Sequence, residues 1–287
     1  GGQEGTPWTN TEMAKFCRIF GDDISKAGLS SKISMAEAGF LTHLFERGND
    51  SKRGFQIKQF FSPESENYIG DVPNMAHKIS GHSYHTVKSD SIMNLIRGKL
   101  HDEFQRVDPT LDFWMSEYCI LGGNGILKGG GRDLGMETAL FVANIIHADL
   151  AVANASAWQW WIAVSKYNFK DGLVYIDEKS HEIYESKLLW ALGNYSRFIR
   201  PGAKRIDVET NQEDSLKTSA YKNENGEIVV VIINKSKTPE TVQINLTGKT
   251  NRYETSTNNS LAPLGKVDIS KPVSIPKESV STFVITQ

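Results

Sequence analysis

Between Leu111 and Leu121 the chain reads Leu-Asp-Phe-Trp-Met-Ser-Glu-Tyr-Cys-Ile-Leu, an apolar, aromatic-rich run that suits a buried strand at every late position except Glu117. An unpaired carboxylate is expensive to bury, so this acid must be neutralised, hydrogen-bonded or set at the strand's open end where a substrate can reach it. In a parallel barrel that open end is where catalytic groups sit. The bland alternative is a partly exposed acid in a surface strand.

The surroundings of this run favour a parallel sheet. Up to about residue 199, short strand-like runs alternate with longer helical patterns, the signature of β/α units. Four strands are expected, at 32–38, 77–84, 111–121 and 155–163. Ile92, Leu95, Ile96, Leu100 and Phe104 recur at helical spacing after the second strand, and Leu140, Val142, Ile145, Ile146 and Leu150 after the third. A helix holding Met13, Phe16, Ile19 and Phe20 is offered N-caps by Thr9, Asn10 and Thr11. Residues 184–199 are amphipathic and stop at Arg200-Pro201-Gly202.

From residue 203 onward, short strands separated by turn residues predict a small β-sandwich, with Asn225-Gly226 marking a hairpin before Ile228–Ile233. The expected division is therefore 1–202 and 203–287. The fold class is α/β followed by all-β. Four β/α units are half of what a closed barrel needs, so the first part is either an open sheet or the carboxyl-terminal half of a barrel.

With 32 basic and 34 acidic side chains the formal net charge is −2, which gives no support for a nucleic-acid partner. No apolar run approaches membrane-spanning length. Cys17 and Cys119 lack metal-ligand spacing and read as buried thiols, and the seven histidines form no metal-binding motif, so neither metal nor cofactor is expected. Ser116 lacks the Gly-x-Ser-x-Gly elbow of a serine hydrolase, and the 122–131 loop lacks a phosphate-loop ending.

The segments Phe113-Trp-Met-Ser-Glu-Tyr118, Gly1-Gly-Gln-Glu-Gly-Thr-Pro-Trp8, Ile33-Ser-Met-Ala-Glu-Ala-Gly39, Ile79-Ser-Gly-His-Ser-Tyr84, Trp158-Gln-Trp-Trp161 and Lys170-Asp-Gly-Leu-Val-Tyr175 resemble glycoside hydrolase family 30. They look most like its bacterial endo-β-1,6-galactanase-type branch. The resemblance implies a (β/α)8 barrel, of which strands five to eight are present here, with a side β-sandwich. It also implies a retaining endo-hydrolase of a β-linked polysaccharide, acting outside the cell or in the periplasm, with Glu117 as nucleophile. Relatives in the family cleave glucuronoxylan, β-1,6-glucan and glucosylceramide. The family's acid/base lies in an Asn-Glu-Pro motif, which this sequence does not contain; the chain is expected to begin just downstream of it.

A retaining glycosidase sets two carboxyl groups roughly 5 Å apart, one to attack the anomeric carbon and one to protonate the leaving oxygen. The nucleophile must stay ionised, which calls for donors, and His82, Tyr84 and His85 at the end of the preceding strand are candidates. Tyr84 is the preferred orienter, and His82, two residues away, would share its face in a strand. Glu37 is expected to bind sugar hydroxyls, with standing in as the acid its alternative; Glu4 is a candidate for the same contact, with an ordinary exposed loop acid as its alternative, and Tyr118 beside the nucleophile is a further contact. Trp158 and Trp160 share one strand face suited to stacking under a pyranose, with Trp161 on the other and Trp8 a weaker cleft candidate. Packed aromatics filling a seam are the plain alternative for these rings. For the whole chain, the alternatives are an inactive carbohydrate-binding protein and an incomplete piece of such a hydrolase. Partners are saccharides; the sequence gives no oligomeric state.

Overall fold

In the computed structural model, residues 7–48, 50–123, 126–212 and 215–287 are described. Contacts cluster into two units, one formed by 1–119 and 148–160, the other by 120–147 and 161–287.

The first unit is built on a parallel sheet of four strands in sequence order: β1 (Glu37–Ala38), β2 (Lys78–His82), β3 (Asp112–Tyr118) and β4 (Ala157–Trp160). Helix α1 (Asn10–Lys26) opens with a reciprocal cap between Thr9 and Glu12, as the polar triplet at 9–11 predicts. A short helix α2 (Gln56–Phe61), not evident from periodicity, precedes β2. Helix α3 (Asp90–Val107) connects β2 to β3 and sets Phe104 against Phe113, ring centroids 5.7 Å apart. The first expected strand shrinks to two paired residues, preceded by an isolated bridge at Ile33. Ala36, between them, has a φ of 60°, which interrupts extended pairing. Gly81 in β2 is required by close packing: a Cβ there would come within 2.9 Å of Leu44, from the 3₁₀ turn after β1.

The second unit contains helix α4 (Met136–His147), a three-stranded sheet of β5 (Ile162–Ser165), β6 (Gly172–Ile176) and β7 (Ile183–Glu185), and helix α5 (Lys187–Ser196). The expected fourth strand is thus split by a bend at Trp161, its two halves joining different sheets. The helix expected from residue 184 begins three residues later, because Tyr184 pairs with Tyr175 and Ser186 caps the Leu189 amide. Then follow β8 (Lys204–Ile206), β9 (Leu216–Lys222), β10 (Ile228–Asn234), β11 (Glu240–Val242), β12 (Lys249–Thr255), β13 (Ala262–Val267), β14 (Val273–Ile275) and β15 (Ser279–Thr286). Six of them form a sheet in the order β13-β12-β15-β10-β9-β8, and β11 pairs with β14.

Every residue of β10 is buried. Ile228, Val230 and Ile232 join Phe283, Val273 and Ile275 in the sandwich core. The opposite face carries Val229, Val231 and Ile233, and α4 and α5 pack on that sheet; Asn194 of α5 accepts from Thr282, the partner of Val231. Burial on both faces explains why the Ile228–Ile233 run is continuously apolar. Cys17 and Cys119 are buried thiols, neither of them in a disulfide.

One polar cluster organises the first unit. Arg97 and Asp149 are fully buried and paired, Nε to Oδ1 at 2.9 Å. Asp149 also accepts from the Ser83 hydroxyl at 3.0 Å and the Trp158 indole at 2.9 Å, while Arg97 donates to the carbonyl and hydroxyl of Thr86 at 3.2 and 2.8 Å. Removing one partner leaves a buried charge uncompensated. Arg97→Met is therefore expected to lower stability by about 3–5 kcal/mol in urea unfolding. The double variant Arg97→Met/Asp149→Leu, with no isolated charge, is expected to lose less.

Candidate active site

The site lies at the carboxyl ends of β1 to β4, and a local irregularity aims its central acid. Along β2 and β3 the register runs Lys78 with Asp112 to Gly81 with Met115, then jumps so that His82 faces Glu117. The β4 side shows the same shift, Met115 opposite Trp158 and Tyr118 opposite Trp160. β3 therefore carries one extra residue, a bulge. Phe113 packs outward on α3, whereas Lys78, Ser80 and Trp114 meet on the other face, Lys78 Nζ lying 2.9 Å from the Ser80 hydroxyl and 4.1 Å from the Trp114 ring centroid. Strict alternation would send Glu117 the way of Phe113 and Met115. The bulge turns it to the face that holds His82.

There the Tyr84 hydroxyl donates to Glu117 Oε1 at 3.0 Å and reaches Cys119 Sγ at 3.5 Å. Burial, helped by the Cys119 contact and the Glu117 charge, pushes the Tyr84 phenol far above its ordinary value, so it stays a donor. His82 stands between two acids, Nδ1 3.6 Å from Glu117 Oε1 and Nε2 3.0 Å from Glu37 Oε1. The His82 bond is the main influence holding the Glu37 carboxyl below the usual glutamate range; burial opposes it, and Ser116 and the Lys78 charge assist. Glu37 is half exposed and Glu117 about a quarter, 53% and 27% of their side-chain surface.

Of the residues singled out from the sequence, Glu37, His82, Tyr84, Glu117, Tyr118, Trp158 and Trp160 come together through these bonds and through ring contacts, but Tyr118 is only 2% exposed and packs beneath the site instead of making the sugar contact expected of it. Tyr84 and Tyr118 lie 5.5 Å apart, Tyr118 and Trp160 6.2 Å, and Trp160 and Trp158 6.3 Å in a stacked pair. Tyr84 lies past the end of β2, in a turn, so its proximity to His82 is edge-on at 5.7 Å rather than the shared strand face expected. His85 is exposed, does not touch Glu117's oxygens in any hydrogen bond, and stacks on Phe40. Trp8 packs on Phe16 of α1, away from these rings. Glu4 lies outside the described residues.

Sequence reasoning missed Arg97, Asp149, Ser83 and Phe40. An acid in the apolar stretch Ile145-Ile-His-Ala-Asp149-Leu was the available signal for Asp149; the pairing with Arg97, 52 positions away, carried none. No helix among the described residues is long and apolar enough to cross a membrane.

Residues 1–175 match O-glycosyl hydrolase family 30, and residues 202–283 match the glycosyl hydrolase family 30 β-sandwich domain. A conserved exported protein from Bacteroides fragilis superimposes with a TM-score of 0.86 at 29% identity, over 99% of this chain and 61% of that one. The catalytic domain of xylanase C from Talaromyces cellulolyticus gives 0.71 at 23% identity, over 97% and 57%. Glucuronoxylanase XynC of Bacillus subtilis is 30% identical over 183 residues, 55% of this chain and 40% of its own length. This chain thus spans less than two thirds of each relative, and β1 to β4 are barrel strands of a (β/α)8 fold with a carboxyl-terminal β-sandwich. With the first profile covering more than half of its residues, the chain belongs to glycoside hydrolase family 30.

Proposed function

We propose that this chain carries the nucleophile side of a retaining endo-glycoside hydrolase acting on a β-linked polysaccharide, with Glu117 as the attacking carboxylate. The carrying observation is the 3.0 Å bond from a partly buried, firmly protonated phenol to an acid about a quarter exposed at a parallel sheet's carboxyl edge. The Tyr84 hydroxyl and, at 3.6 Å, His82 Nδ1 both meet Oε1, which fixes the carboxylate's direction and leaves the other oxygen for attack. In the first step a bond forms between a Glu117 oxygen and the anomeric carbon, the glycosidic C–O bond breaks, and the leaving oxygen takes the electron pair together with a proton from an acid. Water, deprotonated by that same group, then cleaves the glycosyl ester.

Glu37 does not fit the acid's role. An acid has to hold its proton at working pH, and the His82 bond favours the ionised form of Glu37. It suits instead a hydroxyl acceptor that also fixes the His82 ring. The segments resembling the galactanase-type branch favour β-1,6-galactan; the glucuronoxylanase name of the Bacillus relative makes glucuronoxylan the competing substrate.

The nucleophile is testable apart from the acid. A 2-deoxy-2-fluoroglycosyl donor with a dinitrophenolate leaving group needs no protonation, so incubation should add one glycosyl mass to the peptide containing Glu117, and Glu117→Gln should abolish the adduct. Saccharide binding without any adduct would instead support an inactive binding protein. Tyr84→Phe is expected to slow labelling about 10- to 100-fold, the loss of one hydrogen bond to a charged group. Glu37→Gln tests the depressed acid. Stabilisation from a lowered carboxyl pKa is present above the ordinary glutamate value and fades as pH falls through the folded value, so the stability gap between wild type and Glu37→Gln should be full near neutrality and shrink in acid.

A further inference from the structure

Beyond the rings around Glu117, one exposed aromatic pair has no role in the packing or the chemistry described so far. Phe40, two residues past β1, and His85, in the turn after β2, stack face to face with centroids 4.6 Å apart and planes at 16°. Phe40 keeps 38% of its surface exposed and His85 is exposed as well. A single exposed Phe is ordinary. This pair is not single, and its geometry is held against a local preference.

His85 adopts a φ of 63°, the left-handed region that residues other than glycine seldom enter. Its turn is anchored on both sides by buried groups, Ser83 through its hydroxyl on Asp149 and Thr86 through its carbonyl and hydroxyl on Arg97. Backbone strain persists where the surroundings over-determine it, and it collects at ligand-handling sites. Here the anchoring serves to present two rings to solvent.

The pair also continues a series. Phe40 meets His85, His85 lies 6.5 Å from Tyr84, and Tyr84 leads through Tyr118 to Trp160 and Trp158. In strand order the series passes over β1, β2, β3 and β4, with Glu117 on β3 bonded to its third ring, Tyr84. Tyr118 is itself buried and only links the series, so the rings left open are Phe40 and His85 on one side of Glu117 and the partly exposed Trp160 and Trp158 on the other, a spacing that suits separate pyranose units, whose C–H faces stack on aromatic rings.

We propose that Phe40 and His85 form a second saccharide-stacking subsite, on the β1 side of Glu117, which holds a pyranose unit further along a bound β-linked chain than the unit contacted by Trp158 and Trp160. The proposal rests on the hydrolase reading above and extends it to residues outside the catalytic bonds.

The test is titration of the 287-residue chain with β-1,6-galacto-trisaccharide and hexasaccharide, with glucuronoxylo-oligosaccharides of the same lengths as a parallel series. Wild type is expected to bind the hexasaccharide more tightly than the trisaccharide. Phe40→Ala and His85→Asn, the latter keeping a residue that tolerates the left-handed backbone, should weaken hexasaccharide binding by about tenfold and trisaccharide binding much less. Phe40→Trp should restore the length increment, which a merely structural role would not predict. Hexasaccharide affinity unchanged in both variants, or equal losses for both lengths, would overturn the subsite. If wild type forms the Glu117 adduct yet gains nothing with chain length, the subsite alone fails. If it forms no adduct and binds neither series, the hydrolase reading fails and takes the subsite with it.

Discussion

The extra residue in β3 is the constraint on which the rest of the site depends. β3 must keep Phe113 and Met115, both nearly inaccessible, on the helix-covered face, and it must also present an acid on the other. A regular strand cannot do both at the spacing this sequence has, because Glu117 shares the parity of Phe113 and Met115. With a regular register the carboxylate would enter an apolar layer, where no donor offsets its desolvation. The bulge resolves the conflict within one residue, and both neighbouring strands record it as the same shift in pairing.

Once Glu117 faces His82, its partners have to arrive from segments distant in sequence, and the Arg97–Asp149 pair performs that assembly. Asp149 collects a hydroxyl from the β2–α3 turn, a guanidinium from α3 and an indole from β4. Arg97 returns two bonds to Thr86 in the same turn. Tyr84 and His85 lie between the two tethered residues Ser83 and Thr86, so the turn that delivers the phenol to Glu117 and the ring to Phe40 is fixed at both ends. Few buried ion pairs add net stability relative to an apolar replacement. The value of this one is positional: three elements share a single carboxylate.

How much of this could be read beforehand depends on the range of each interaction. Period-2 and period-3.6 patterns are local, so the four parallel strands, α3 and the β9–β10 hairpin followed from them, as did Glu117 as the odd acid in a buried strand. The Asn225-Gly226 signal worked because a hairpin turn is decided by its own residues; Gly226 takes the φ of 87° that the turn needs. The split at Trp161 was not legible, since 157–160 and 162–165 are equally strand-like and only their partners, β3 and β6, differ. The short strands β5 to β8 are defined by pairing rather than by composition. Tyr84 does donate to Glu117, as its phenol and its place near the strand's end suggest, although the shared strand face expected to bring it near His82 is replaced by a turn. Arg97 with Asp149, and Phe40 with His85, are contacts between positions 52 and 45 apart, and no single-sequence pattern joins them.

Asp149 and Glu117, both in the first unit, show how differently two carboxylates of one fold can be held. Asp149 has no exposed surface, and its two oxygens accept from a guanidinium, a hydroxyl and an indole; with its lone pairs committed, it can orient neighbours and cannot approach a substrate. Glu117 retains exposure, and the bond found for it among the described residues comes from a neutral phenol, at one oxygen. A carboxylate whose two oxygens are both engaged by donors loses nucleophilicity with every lone pair committed. One met at a single oxygen, here by a phenol at 3.0 Å and an imidazole at 3.6 Å, keeps a second oxygen whose direction is nonetheless set. Donor count and access, more than the identity of the side chain, are what fit Glu117 to the attacking role proposed for it and Asp149 to holding its surroundings in place.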